Sequence, residues 1–149
     1  GLRSAAPLAQ FFGYYLHYVF DDVRVVANEL CDVFESISRI GAQDVLVGIS
    51  FPRYSTRTLE AMRFARQCGA QVVGITDGAM SPLHTVADAT LSARTDMASF
   101  VDSLAAPLSL INALTVALAL QRKDEMNRHF KRLEEIWDAY SVYVNKENQ

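Results

Sequence analysis

Val45-Leu46-Val47-Gly48-Ile49 is an apolar run with no alternation, the pattern of a strand buried on both faces of a parallel sheet. It stops at Ser50. After Phe51-Pro52-Arg53-Tyr54-Ser55 a charged helical pattern follows, predicting a helix over about Thr56 to Gln67 that ends before Gly69. Gln71 to Ile75 repeats the strand pattern and ends in Thr76-Asp77-Gly78. Ser81 then caps a short helix over Pro82 to Ala87, and Ala89 to Ala93 forms a further short strand. Upstream, Ser4 or Ala5 to Tyr18 suits a helix with Ser4 as N-cap and Pro7 in its first turn. Its Phe11, Phe12, Tyr14, Tyr15, Leu16, Tyr18 and Val19 are apolar nearly all round, which predicts burial or an interface. Val23 to Ala27 reads as a short strand ending at Asn28. A helix follows with Leu30, Phe34, Ile37 and Ile40 at helical spacing and Gly41 at its stop.

A long helix from about Ala98 to Gln121 is expected to close the core. Beyond it Met126, Phe130, Leu133, Trp137, Tyr140 and Val144 form an apolar stripe flanked by Lys131, Arg132, Glu134, Glu135 and Asp138. Docking of that stripe onto its own domain or a second subunit is the plain reading. Strands separated by helical stretches imply βαβ units, hence a parallel sheet with right-handed crossovers. Such sheets bind ligands beyond the carboxyl ends of their strands.

The chain has 149 residues, half of them hydrophobic, which suits one soluble globular domain with its own core. A net charge of −3 argues against a general nucleic-acid surface, which demands a basic patch. Cys31 and Cys68 stand apart, with no Cys/His cluster, and read as reduced, buried thiols without a metal or redox role. Residues 103–121 carry no charge but contain Pro107, Ser109, Asn112 and Thr115, so a core or oligomer helix is expected rather than a membrane span. Gly1-Leu2-Arg3-Ser4 reads as a loop following a strand that would lie upstream.

The segment after Ile49 carries the candidate chemistry. It brings hydroxyls and the guanidinium groups of Arg53 and Arg57 to a point where a strand ends and a helix begins. Free backbone N–H groups and the helix dipole favour anions there. The candidate ligand-binding residues are Ser4, Ser50, Arg53, Ser55, Thr56 and Thr76, for a phosphate or carboxylate on a small molecule. No catalytic residue, metal ligand or cofactor is expected. Glu60 and His84 are the only general-base candidates near the loop, and His84, His17 and His129 read as structural.

Ile49-Ser50-Phe51 through Thr58-Leu59-Glu60-Ala61, followed by Ala65-Arg66 and Gly69-Ala70-Gln71-Val72-Val73-Gly74-Ile75-Thr76-Asp77, resembles the SIS (sugar isomerase) domain. More narrowly, it resembles the C-terminal effector domain of RpiR/MurR-type bacterial transcriptional regulators. The resemblance implies a three-layer α/β/α sandwich around a parallel five-stranded sheet whose first strand precedes Gly1. It implies a phosphosugar-binding domain over residues 1–121 and a C-terminal helix over 122–149. It further implies a homodimer or tetramer, and DNA contact only through an N-terminal helix-turn-helix outside this sequence. The family loop commonly reads Ser-x-Ser-Gly-x-Thr. Ser50 matches its first serine and Ser55 its threonine, while Pro52 replaces the second serine and Arg53 the glycine. Ser4 is retained in the first loop, and Ala5 stands where a binding serine is frequent. Pro52 removes a hydroxyl and an amide donor, and Arg53 adds a bidentate anion clamp. A sugar acid, or a sugar phosphate held by Arg53, fits these substitutions. The expectation is a cytoplasmic, non-enzymatic effector-sensing domain, with a sugar-phosphate aldose–ketose isomerase as the alternative.

Overall fold

The computed structural model describes residues 1–27, 32–98 and 101–143. Three strands pair in parallel in the order β1 (Val45–Ile49), β2 (Gln71–Thr76) and β3 (Ala89–Ser92). Between the first two runs α3 (Thr56–Gln67), preceded in the chain by α1 (Ala6–Leu16) and the single turn α2 (Val33–Ser36). A 3-10 helix, Pro82–Thr85, links β2 to β3, and Ser81 Oγ caps it by accepting from Leu83 N–H. β4 (Met97–Ala98) and β5 (Val101–Asp102) form a small antiparallel pair before α4 (Ala105–Gln121) and α5 (Lys123–Ala139).

The period-two geometry of the strands sends alternate residues to opposite layers. Ile49 and Ile75 join Leu8 and Phe12 of α1 and Ile111 of α4 on one face. Val72 joins Met62 and Ala65 of α3, with Leu83 and Val86, on the other. The three-layer parallel architecture is therefore present, with three strands in its sheet among the described residues. Gly48 is required where β1 meets α3, because an added Cβ would overlap the wholly buried Met62 side chain.

Several elements depart from the sequence pattern. Val23–Ala27 belongs to no strand; it runs beside α1, with Arg24 donating to Ser36 O at 2.6 Å. Strand-forming residues need a ladder partner, and none lies beside this segment among the described residues. Asn28, Leu30 and Cys31 lie outside the described residues. Among the described residues, the helix expected across Leu30 to Ile40 is the single turn α2. Asp32 caps it, accepting from Phe34 N–H at 3.0 Å, but Ser36 and Ser38 hydroxyls donate back to the carbonyls of Asp32 and Glu35. Such bonds compete with helical continuation. Ser4 is not an N-cap: it lies in a 3-10 turn, Arg3–Ala5, and α1 starts at Ala6 without a side-chain cap.

The long helix starts at Ala105, not Ala98. A helix from 98 would hold Pro107 in its interior, where the ring clashes with the carbonyl four residues back; from Ala105, Pro107 falls in the permissive first turn. Nor does α4 close a core on every side. Only Pro107 and Ile111 are buried, and Val116 and Leu120 are 58% and 68% exposed. Along α1 one face is buried, through Ala6, Leu8, Phe12 and Gly13, while Tyr14 and Tyr15 are exposed. Cys68, expected to be buried, is exposed, because it is the C-cap residue of α3 rather than part of its packed face. Among the described residues no single helix is long and apolar enough to cross a membrane.

Gly13 is the tightest joint between α1 and the 23–27 segment, since an added Cβ there would overlap the branched Val25 side chain. Alanine normally stabilises a helix interior over glycine by about 1 kcal/mol. Gly13→Ala should instead lose about 1–3 kcal/mol through overpacking, read as a lower urea midpoint with an unchanged slope.

Candidate functional site

In-register pairing of Ile49 with Ile75 ends β1 and β2 at one level. Ser50 N–H continues the ladder by donating to Ile75 O at 3.1 Å, so Ser50 sits beside Thr76, and Thr76 in turn pairs with Ser92 of β3. The carboxyl rim of the sheet is thus a row of hydroxyl residues, each left at its strand end by local sequence.

Ser50 is buried, and its Oγ accepts from Ser55 N–H at 3.0 Å. Ser55 is the N-cap of α3 and accepts from Thr58 N–H at 3.3 Å. These two bonds fold the Phe51–Tyr54 loop over and aim the start of α3 at the rim. The amides of Thr56 and Arg57 fall in the first turn, where no intrahelical acceptor exists. Thr58 is 5% exposed, and its Oγ1 is buried with no hydrogen-bond partner among the described residues. An unpartnered buried hydroxyl costs about 1–3 kcal/mol, so this atom stands out in a site otherwise well supplied with partners. Its position, three residues after the capping serine, was the available signal in the sequence.

Arg53 adopts φ of +61°, the left-handed region that glycine favours. Arg53 thus holds a conformation open to glycine without strain, and its guanidinium is exposed at the loop tip. Thr56, the first residue of α3, is exposed. Ser4 is exposed in the neighbouring 3-10 turn, next to Arg3, whose φ is +56°. Ala5 and Phe51 share one core cluster, which brings the two loops together. Phe51 is buried in that layer instead of covering the rim.

Thr76 differs from the other candidates. It is fully buried; its hydroxyl hydrogen-bonds Ser81 Oγ at 2.7 Å and lies 3.1 Å from Asp77 Oδ1. Tyr54 O–H reaches the same carboxylate at 2.8 Å. Burial, followed by the bond to Asp77, holds the Tyr54 phenol above its ordinary pKa. This Tyr54–Asp77–Thr76–Ser81 network ties the loop after β1 to the end of β2. Its Tyr54–Asp77 link was not evident in the sequence, because the two residues lie 23 apart and meet only through strand pairing.

The general-base candidates are engaged elsewhere. His84 has one ring nitrogen 3.1 Å from Gly78 O and the other 2.9 Å from Thr90 Oγ1. Glu60 lies 3.8 Å from Arg57, which also pairs with Asp32 at 3.2 Å. Among the described residues no group of His, Cys, Asp and Glu could hold a metal ion.

Comparison with known proteins bears on this geometry. The chain is 28% identical over 97 residues to an uncharacterized HTH-type transcriptional regulator of Caldanaerobacter subterraneus, covering 62% of this chain and 34% of that protein. It therefore spans about a third of the length of that relative. Its fold is similar to the sugar isomerase domain of an RpiR transcription factor from Sphaerobacter thermophilus, with a TM-score of 0.84 and 21% identity over 91% of this chain and 75% of that one. It is also similar to Vibrio vulnificus NanR complexed with ManNAc-6P, with a TM-score of 0.75 and 18% identity over 97% of this chain and 55% of that one. At these identities the two structures speak to fold. The family model of the SIS domain matches residues 1–117, and the chain belongs to the SIS domain family.

Proposed function

We propose that this chain is the effector-sensing domain of a cytoplasmic bacterial transcriptional regulator, binding a sugar phosphate or related acidic carbohydrate. The binding unit is residues 1–121, with the terminal helix as an assembly element, and the working form is a homodimer or tetramer. DNA contact belongs to a helix-turn-helix outside this sequence. Ligand binding acts by differential affinity for two arrangements of the subunits.

The observation that carries the reading is the buried, unpartnered Thr58 hydroxyl at the start of α3. An anion seated there takes the Thr56 and Arg57 amides, the Thr58 and Ser55 hydroxyls and the favourable end of the helix dipole. Ser50 holds the loop in place from below. Arg53 closes over the anion from the tip, supplying a two-pronged donor where a glycine loop has none. Thr76 supports the site from behind by orienting Asp77, and Ser4 borders it from the neighbouring loop. The similarity to a regulator and to NanR with a bound sugar phosphate supports the same ligand class. The isomerase alternative requires a free general base at the rim, and His84 and Glu60 both have other partners.

Thermal-shift screening against sugar phosphates and sugar acids tests the reading. A ligand at a hundredfold its Kd stabilises by about 2.7 kcal/mol. A saturable shift lost in Ser50→Ala or Arg53→Ala is the expected result, and no shift with any anionic sugar would defeat it. Thr58→Val should leave the ligand-free protein equally stable, or up to about 1 kcal/mol more stable, by removing an unsatisfied hydroxyl, while the ligand shift shrinks. Arg53→Gly should separate the same two properties. Relief of the left-handed backbone raises ligand-free stability by about 1 kcal/mol, whereas anion binding falls; chemical denaturation and ligand titration read the two effects.

A further inference from the structure

Arg57 is the second residue of α3, and its guanidinium has no part in the site described above. Side chains of a helix lean toward its N-terminus, so a long one at this position reaches back over the opening turn. Here that guanidinium is already occupied. It lies 3.2 Å from Asp32 Oδ2 and 3.8 Å from Glu60 Oε2, and it covers the Phe34 ring at 5.7 Å from the centroid. Phe34 in turn meets Phe64 of α3 edge-on, with centroids 5.8 Å apart, so a small aromatic platform between α2 and α3 supports the arrangement. The Asp32 carboxylate is divided between two tasks. Oδ1 caps α2 by accepting from Phe34 N–H, and Oδ2 holds Arg57.

The pair is exposed: 57% of the Arg57 side chain and 42% of the Asp32 side chain face solvent. Ion pairs this open are weak, worth about a fivefold preference at most, because water and salt screen them. A phosphate offers the same guanidinium more than one negative charge and a two-pronged set of oxygens. Seated at the Thr56 and Arg57 amides, it competes with Asp32 for the Arg57 side chain. We propose that Arg57 is a second anion-binding cation of this site, held in reserve by Asp32, so that Asp32 raises the ligand concentration at which the site fills. The swap leaves the fold intact, because Asp32 keeps its cap on α2 through Oδ1 while Oδ2 exchanges Arg57 for water. Arg53 then reaches the anion from the loop tip and Arg57 from the helix. The inference rests on the anion site proposed above and adds the control of its affinity.

A double-mutant cycle tests it, with inorganic phosphate and ManNAc-6P titrated calorimetrically into the full 149-residue chain at fixed ionic strength. The variants are Asp32→Asn, Arg57→Gln and both together. Asparagine still caps a helix and glutamine still suits one, and circular dichroism checks that each variant is folded. Asp32→Asn should tighten anion binding about two- to fivefold, and Arg57→Gln should weaken it. In the Arg57→Gln background the gain from Asp32→Asn should vanish. A bystander carboxylate predicts the reverse: with Arg57 gone its charge is unscreened, so removing it would help binding at least as much. An equal or larger gain in that background, an unaltered affinity in Asp32→Asn, or no loss in Arg57→Gln would each overturn the reserve role while leaving the anion site standing. Failure of both anions to bind any of the four chains would defeat the anion site itself, and the reserve role with it.

Discussion

The parallel ladder between β1 and β2 is the constraint on which the site depends. It pairs Val45 with Gln71 and Ile49 with Ile75, ending both strands at one level. A slip of β1 by one residue would turn Ile49 out of the α1/α4 layer and carry Ser50 away from Thr76. The register is pinned at both ends: Gln71 N–H donates to Asp44 O at 3.0 Å, and Ser50 N–H to Ile75 O at 3.1 Å. Between them Gly48 lets Met62 of α3 lie flat against the strand. Helix position, rim composition and loop closure all follow from this pairing.

The loop after β1 is held in a strained shape by the residues around it. Arg53 adopts a left-handed turn that a glycine would adopt without cost. Two local bonds, Ser55 N–H to Ser50 Oγ and Thr58 N–H to Ser55 Oγ, keep the start of α3 directed at the rim. Backbone strain of order 1–3 kcal/mol persists where surrounding structure over-determines it. Here the buried Phe51 on one side and the Tyr54–Asp77 bond on the other anchor the loop to both layers of the fold. What faces solvent between those anchors is cationic and rich in donors.

The two terminal helices stand in a different relation to the core. α4 has no charge along its length and two buried residues, and α5 carries charges of both signs and none. A hydrophobic surface left uncovered by its own chain is stabilised by covering it elsewhere. The sheet and α3 thus carry the hydroxyl-rich rim, and the terminal helices leave apolar surface exposed.

How much of this was legible in the amino-acid order depends on the range of the forces involved. β1, α3 and β2 agree with the sequence pattern to within a residue, because unbroken apolar runs, a capping serine and a terminating Gly69 are local signals. The placing of Ser50 at a strand end and of Ser55 as a helix cap was legible for the same reason. Val23–Ala27 was not, since strand chemistry without a neighbouring ladder makes no strand. Distant contacts also decided that Tyr54 reaches Asp77 and that Thr58 Oγ1 is buried without a partner among the described residues. Sequence by itself determined β1, α3 and β2 and the hydroxyls at their ends. Tertiary structure alone decided which hydroxyls remain unsatisfied and which apolar faces stay uncovered, because burial and pairing are properties of neighbours far apart in the chain.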